Sequence, residues 1–162
     1  MRLEAKRAFV VADWMKSASR CKRQEEFLIL LRAEQTRVSK LDETEMDQII
    51  QRDESRLERF QTLDWQLRTV RLRDCHVYPR MGKRAWAVGC VSDVAAAFNR
   101  LEPSLSRIWK MKLFASLFTE LPLIVLEDAG KLTIDDGSHR AIAMYLSGIR
   151  DVPAYVGAKK KT

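Results

Sequence analysis

Glycine and proline are absent from the chain before Pro79, and the first glycine is Gly82. These two residues interrupt regular structure most strongly, so their absence favours long helices in the first part of the chain. One helix is predicted around Glu25–Ala33, whose nearly continuous apolar run requires burial or a partner. We expect residues 1–65 to form a helical segment that acts as a cap or as the surface of a homo-oligomer.

A second helix of this segment is predicted after Ser39, which is a suitable N-cap. Its apolar residues recur at roughly helical spacing: Leu41, Met46, Ile49, Ile50, Leu57 and Phe60. Its opposite face, which includes Glu45, Arg52 and Arg59, mixes both signs of charge. That face is predicted to be solvated rather than to read DNA.

The composition is that of a globular protein. The chain has 162 residues, of which 46% are hydrophobic and 31% charged, and this length fits one domain with an appended helical segment. We expect three parts: helical residues 1–65, an α+β domain over residues 66–158, and a basic tail at 159–162. No apolar run approaches the roughly 20 residues that span a bilayer, so no membrane partner is expected.

The three cysteines, Cys21, Cys75 and Cys90, are widely spaced. They form neither a zinc pattern nor a disulfide framework, and lone cysteines are commonly small core residues. Unpaired cysteines are typical of a reducing compartment, so a cytoplasmic location is expected.

Strand signals begin near Thr69. Apolar residues then alternate with charged ones, which predicts a half-buried strand over Val70–Val77. After Pro122, a hairpin is predicted from Leu123–Leu126 through a turn to Leu132–Ile134, and a last strand over Val152–Gly157. The pattern between them predicts a tight turn at Gly137 and a helix from Ser138 to about Leu146.

The turn before this helix is the candidate functional site. The first N–H groups of a helix lack internal acceptors and carry partial positive charge, so they bind anions readily. Arg140 lies in the first turn and can grip a phosphate or carboxylate, or can instead pair with Asp135 or Asp136. The two carboxylates can hold Mg²⁺ beside phosphate oxygens or cap the helix.

Ser138, His139 and Gly137 each allow two interpretations. Gly137 either supplies a positive φ or lets a ligand approach closely. Ser138 is either a helix cap or a phosphate contact. His139 is either a phosphate donor and proton carrier near neutral pH or a structural residue.

The net charge of +7 indicates an affinity for anions. A basic cluster in the Arg68–Arg84 region contains a single acid, Asp74, among the cations Arg68, Arg71, Arg73, Arg80, Lys83 and Arg84. Such a cluster can attract nucleotide or nucleic-acid phosphates, or can simply be a solvated face.

The last third of the chain resembles the ParB/sulfiredoxin superfamily. The resemblance lies in residues 121–157: a hairpin, Asp136-Gly137-Ser138-His139-Arg140, a helix, and the Val152-Pro153 strand. It extends back toward Thr69, where Leu72–Arg80 corresponds to the family's first strand and its proline–arginine element. It implies a small mixed sheet with flanking helices, here preceded by the N-terminal helical segment, in the α+β class.

The resemblance also implies a bound nucleotide (ATP, ADP or CTP). Its phosphates would contact Gly137, Ser138, His139 and Arg140, with Arg80 as a further contact and Asp136 as a ligand of Mg²⁺. Kinase-like members of the family read Asp-Gly-His-His-Arg, which differs from this chain only at Ser138. Sulfiredoxins have their catalytic cysteine at that position, so sulfiredoxin activity is not expected.

Two functions follow from this resemblance. The first is a nucleotide-dependent phosphotransferase or hydrolase, with Asp136 and His139 as catalytic residues. The second is a non-enzymatic ParB-like module that binds nucleotide or DNA in plasmid or chromosome maintenance or in regulation. A nuclease is a third hypothesis.

Overall fold

The fold is described from a computed structural model over residues 1–16, 21–77, 89–96 and 111–160. The N-terminal segment is helical, as predicted. It contains α1 (Arg2–Trp14), α2 (Gln24–Ser39), α3 (Glu43–Ile50) and α4 (Glu54–Thr62). The helix predicted around residues 25–33 is confirmed and extends to Ser39.

The single long helix predicted after Ser39 is wrong, because it begins later, at Asp42, and Asp53 divides it. The Asp42 carboxylate accepts a hydrogen bond from the Glu45 N–H at 2.8 Å and caps α3. The Asp53 carboxylate accepts from the Arg56 N–H at 3.1 Å and caps α4. An aspartate that bonds the backbone in this way favours a helix start over a helix interior. Ser39 is the last residue of α2 rather than an N-cap.

A buried lysine fastens α1 to α3. The side chain of Lys6 is 1% exposed, and its Nζ lies 2.7 Å from Glu43 Oε1 and 2.5 Å from Asp47 Oδ1. A buried ammonium group requires such compensation, because its transfer out of water is otherwise very costly.

The second half of the fold is a mixed six-stranded sheet within the described residues. The strand order is β1-β6-β4-β5-β2-β3. The strands are β1 (Asp64–Arg71), β2 (Cys75–Val77), β3 (Gly89–Cys90), β4 (Leu123–Asp128), β5 (Lys131–Asp136) and β6 (Asp151–Ala158). The β6–β4 and β5–β2 pairs are parallel, and the other neighbours are antiparallel. The expected α+β class with flanking helices is therefore confirmed.

The single strand predicted over residues 70–77 is wrong. The chain forms β1 up to Arg71, makes a short 3-10 turn at Leu72–Asp74, and then begins β2. Three other strands separate β1 from β2 in the sheet. Val70, Leu72, Cys75 and Val77 are all buried, so the apolar pattern runs through the turn without a glycine or proline to mark it.

The hairpin and the C-terminal elements match their predictions. β4 and β5 are joined by Ala129 and Gly130, which both have positive φ (48° and 81°), as in the tight turns that suit a twisted hairpin. The predicted last helix is α6 (Ser138–Leu146), and the predicted last strand is β6. A short helix, α5 (Val91–Ala96), follows β3.

The helical segment and the sheet share one hydrophobic core. Phe60 of α4 stacks on Trp65 of β1 at 4.9 Å and contacts Phe9 of α1 at 5.9 Å. α6 begins next to Leu123 of β4. The boundary predicted at residues 65 and 66 lies inside β1, and buried residues from both sides of it belong to the same core cluster. Among the described helices, none has the length and hydrophobicity needed to cross a membrane.

Gly157 allows the Trp65 ring to pack closely against the backbone of β6. A Cβ at this position would lie 2.8 Å from the Trp65 ring. We expect Gly157→Ala to lower the free energy of unfolding by about 1–3 kcal/mol, because the ring must shift. Urea denaturation measures this loss. The same substitution in a Trp65→Phe background is the control, since the smaller ring removes the contact. An equal loss in both backgrounds would contradict the steric explanation.

Candidate functional site

The candidate site is the β5–α6 turn (residues 136–140). Gly137 has φ of 101° and is the N-cap of α6, and the Ala141 N–H donates to its carbonyl oxygen at 2.8 Å. Gly137 has no side chain that can cap the helix, so the first N–H groups of α6 have neither an intrahelical acceptor nor a capping side chain from this residue. The strand, turn and helix predicted here are confirmed.

Asp135 immediately precedes the turn and is held by two arginines from α4. Its side chain is 4% exposed, with Arg56 Nε 2.8 Å from Oδ2 and Arg59 Nη2 2.8 Å from Oδ1. Arg56 also donates to the Asp135 carbonyl oxygen at 3.4 Å. Burial lowers the pKa of Arg56, but the adjacent Asp135 and Asp136 charges outweigh burial and raise its pKa above the usual value.

Sequence reasoning missed these two arginines. The prediction of a solvated position for Arg59 is wrong, because Arg59 pairs with Asp135. Arg56 and Arg59 are three residues apart and thus point to the same side of α4, which is the one signal that the sequence carries for a shared partner. We call the group of Arg56, Arg59 and Asp135 the Asp135 cluster.

Arg140 is also engaged within the fold. Its side chain is 9% exposed, and it donates from Nη1 to the Leu121 carbonyl at 2.6 Å and from Nη2 to Asp136 Oδ2 at 3.1 Å. Burial lowers the pKa of the guanidinium, and the Asp136 charge opposes that shift. The pairing of Arg140 with Asp136 is one of the two alternatives that the sequence left open. A further contact with a bound anion stays a prediction.

Ser138 and His139 are the first two residues of α6, and both are half-buried. Their backbone N–H groups lie in the turn where an anion would bind, so their predicted phosphate contacts stay predictions. Within the part of the chain described, no three His, Cys, Asp or Glu side chains are grouped to hold a metal ion. Mg²⁺ at Asp136 would thus depend on phosphate oxygens for its remaining ligands.

The C-terminal ends of β2 and β5 lie side by side in the sheet. Val77 pairs with Ile134 in the parallel β2–β5 ladder, and Gly89 of β3 pairs with Val77. The chain therefore leaves β2 and β5 in the same direction, toward the side where Gly137 lies. The predicted contact Arg80, like Lys83 and Arg84, falls outside the described residues.

The cysteines agree with the expected absence of a disulfide framework: Cys21, Cys75 and Cys90 are free. Burial raises the pKa of the Cys75 thiol to about 11, and burial also raises that of Cys90. The Cys90 Sγ lies 3.6 Å from His76 Nε2 on the neighbouring strand. Both thiols are therefore protonated at neutral pH, a state in which they are weak nucleophiles.

The structure pairs each described arginine of the basic cluster with an acid, and two of these acids are distant in sequence. Arg68 lies 3.0 Å from Glu127, and Arg71 lies 4.0 Å from Asp151. Arg73 pairs with its neighbour Asp74 at 3.5 Å. Partial neutralisation reduces the positive field that nucleic acid would meet. Nucleic-acid binding through the Arg68–Arg84 region stays a prediction.

A groove of about 970 Å³ lies elsewhere on the molecule. It is beside the β4–β5 hairpin turn, at the other end of β5 from Gly137, roughly 17 Å along the strand. Its charged lining residues have both signs: Asp64, Arg68, Glu127, Asp128, Lys159 and Lys160. This mixture of charge does not favour an anion, so the groove is separate from the candidate site.

Comparison with protein-family models, with curated proteins and with solved structures finds no match for this chain. The resemblance to the ParB/sulfiredoxin superfamily therefore stays a prediction that depends on the residues of the last third of the chain.

The Asp135 cluster predicts a large stability effect. Asp135→Asn removes the negative charge that Arg56 and Arg59 share, and leaves Arg56 only its longer contact with Asp53 at 3.6 Å. We expect the free energy of unfolding to fall by about 3 kcal/mol, because an uncompensated, partly buried charge is costly. Denaturant titration by circular dichroism measures it. Asp151→Asn is the matched control: its pair with Arg71 is exposed, so stability should stay near that of the parent. Equal effects of the two substitutions would contradict this role.

Gly137 predicts a second effect. A Cβ here would lie 2.5 Å from Leu123 Cδ2 and 2.8 Å from Arg140 Nη2. Gly137→Ala should cost at least about 3 kcal/mol of unfolding free energy, the sum of backbone strain and overpacking. Gly148→Ala is the control, because Gly148 has a similar φ of 89° but nothing within 4 Å of its would-be Cβ. Thermal and urea unfolding should show that Gly148→Ala lowers the free energy of unfolding by only about 1–2 kcal/mol. Similar losses for the two variants would refute a special packing role for Gly137.

Proposed function

We propose that this chain is a ParB/sulfiredoxin-like protein that binds the phosphates of a nucleotide at the β5–α6 turn. The observation that supports this most directly is the start of α6 at Gly137. Gly137 adopts φ of 101°, so the chain turns sharply out of β5 and directs the first N–H groups of α6 away from the helix. Backbone N–H groups at a helix start bind phosphate through hydrogen bonds and the helix dipole.

The ion pairs around the turn favour binding over phosphoryl transfer. Asp135 is engaged by Arg56 and Arg59, and Asp136 by Arg140. These guanidinium groups occupy carboxylate oxygens that a general base would need to accept a hydrogen bond from a substrate hydroxyl. We therefore favour a nucleotide-responsive binding module. The three free cysteines support a reducing compartment, such as the cytoplasm, as its location.

A nucleotide-dependent phosphotransferase or hydrolase is the second candidate. The sequence Asp136-Gly137-Ser138-His139-Arg140 favours it, since it differs at one position from the kinase-like pattern. In that case His139 and Asp136 would contact the reacting phosphate, and catalysis would consist mainly of positioning and charge stabilisation.

The test is a substitution that introduces a negatively charged side chain at the turn. Ser138→Asp puts a carboxylate at the start of α6, where negative charge favours the helix, so the ligand-free protein should keep its Tm. The same carboxylate should repel phosphate and abolish the rise in Tm that ATP, ADP or CTP gives with the parent, with or without Mg²⁺. Ser138→Asn is the uncharged control and should retain most of that rise.

Two results would overturn the proposal. One is a parent protein whose Tm no nucleotide raises, and the other is a nucleotide effect that Ser138→Asp leaves intact. Inorganic phosphate tested alone separates recognition of phosphate from recognition of the base. Product analysis of ATP by ³¹P NMR distinguishes the candidates: intact ATP supports a binding module, and turnover that is lost in His139→Ala supports the enzyme.

A further inference from the structure

Within the described residues, β1 is an edge strand of the sheet. β1 pairs with β6 on one side and is the first strand in the sheet order. Its four central residues, 66–69, are all exposed, although successive side chains of a strand point to opposite faces. Leu67 is 47% exposed, which makes it one of the few large apolar side chains at the surface of the described residues.

β1 carries few of the features that protect an edge strand from pairing. Edges are commonly blunted by proline, by a bulge, by short length or by lysine. β1 has neither proline nor lysine, and its register with β6 runs without a shift over all eight of its residues. The cation at its centre, Arg68, is partly neutralised by Glu127 at 3.0 Å.

We propose that two copies of this chain associate through antiparallel pairing of their β1 strands, with Leu67 opposite Leu67 of the second copy. The two sheets would then form one continuous sheet across a two-fold axis. A two-fold axis makes the interface isologous, so the strand must be complementary to itself.

The register follows from geometry and charge. In a continuous sheet, paired residues point to the same face, so an odd position must face an odd one and an even position an even one. Centring the axis on Leu67 pairs Asp64 with Val70, Trp65 with Thr69 and Gln66 with Arg68. Centring it on Arg68 would oppose two arginines directly, which is destabilising.

Charge complementarity supports the same register. With Leu67 on the axis, Asp64 lies diagonal to Arg68 of the second copy on one face of the sheet, within reach of a long side chain. On the other face, the two exposed Leu67 side chains come into contact and leave water. A register centred on Gln66 would pair Asp64 directly with Arg68, but it would leave the strand unpaired beyond Arg68.

A first experiment tests whether β1 forms the dimer interface. Sedimentation velocity of the parent at about 1 to 100 μM should show a reversible dimer, since an edge-strand contact is a small interface of modest affinity. Leu67→Arg should abolish the dimer without changing the circular dichroism spectrum, because it opposes two new cations at an exposed position. Ile29→Arg is the matched control: Ile29 lies on α2 and is 72% exposed, so the dimer should persist.

A second experiment tests the register. In a background with Cys21→Ser and Cys90→Ser, Leu67→Cys should form an intermolecular disulfide on mild oxidation, because the two residues face each other within disulfide range. Gln66→Cys should not, since residue 66 faces residue 68 of the second copy. A parent that stays monomeric would overturn the proposal. So would a dimer that Ile29→Arg disrupts and Leu67→Arg does not, which would place the interface on the helices instead.

Discussion

The buried carboxylate of Asp135 is the interaction on which the arrangement of the candidate site depends. A carboxylate that is 4% exposed must be compensated by charge or hydrogen bonds, and here Arg56 and Arg59 compensate it. Both arginines belong to α4, whose Phe60 stacks on Trp65 of the sheet. The N-terminal helices therefore fix the position from which the chain leaves β5. The helical segment is part of the site's framework rather than an independent appendage.

The same compensation determines which groups of the turn can meet a ligand. Three arginines and three aspartates lie close together around it, in ion pairs or hydrogen bonds: Asp53, Arg56, Arg59, Asp135, Asp136 and Arg140. Their charges nearly balance, so the guanidinium groups add little net attraction for an anion. The start of the α6 backbone carries partial positive charge, and Gly137 supplies no side chain to cap it. Phosphate recognition at this turn would thus depend on backbone N–H groups more than on the arginine side chain that is most conspicuous in the sequence.

The packing of the helices against the sheet also anchors one end of β1. α4 leads through Leu63 directly into β1, and Trp65 packs between Phe60 and the bare backbone of Gly157. This packing fixes β1 against β6, and the helices cover one face near Trp65. The exposed residues 66–69 lie beyond that contact. The anchoring of one end of the strand and the exposure of its centre are therefore consequences of the same local packing.

Local sequence signals were sufficient wherever the determining residues are neighbours in the chain. The β4–β5 hairpin, the turn at Gly137, α6 and β6 were predicted because turn glycines and apolar periodicity act over a few residues. The start of α4 is not predicted, although its signal, the capping residue Asp53, is local. The break between β1 and β2 is not predicted, because the buried apolar residues Val70, Leu72, Cys75 and Val77 continue across it without a glycine or proline to mark the turn.

The partners of the charged side chains were decided by the tertiary structure. Asp135 and Arg56 are 79 residues apart in sequence, and the sheet brings Glu127 to Arg68 and Asp151 to Arg71. No periodicity records such a pairing, because a charged residue has the same identity whether it is solvated or buried beside a counter-ion. The sequence by itself determined that a helix starts at a glycine turn flanked by aspartates and an arginine. Only the tertiary structure decided that Asp135 is paired with the arginines of α4. It also decided that Arg140 donates to the Leu121 carbonyl and to Asp136. The physical reason is that burial makes each of these charges require a partner.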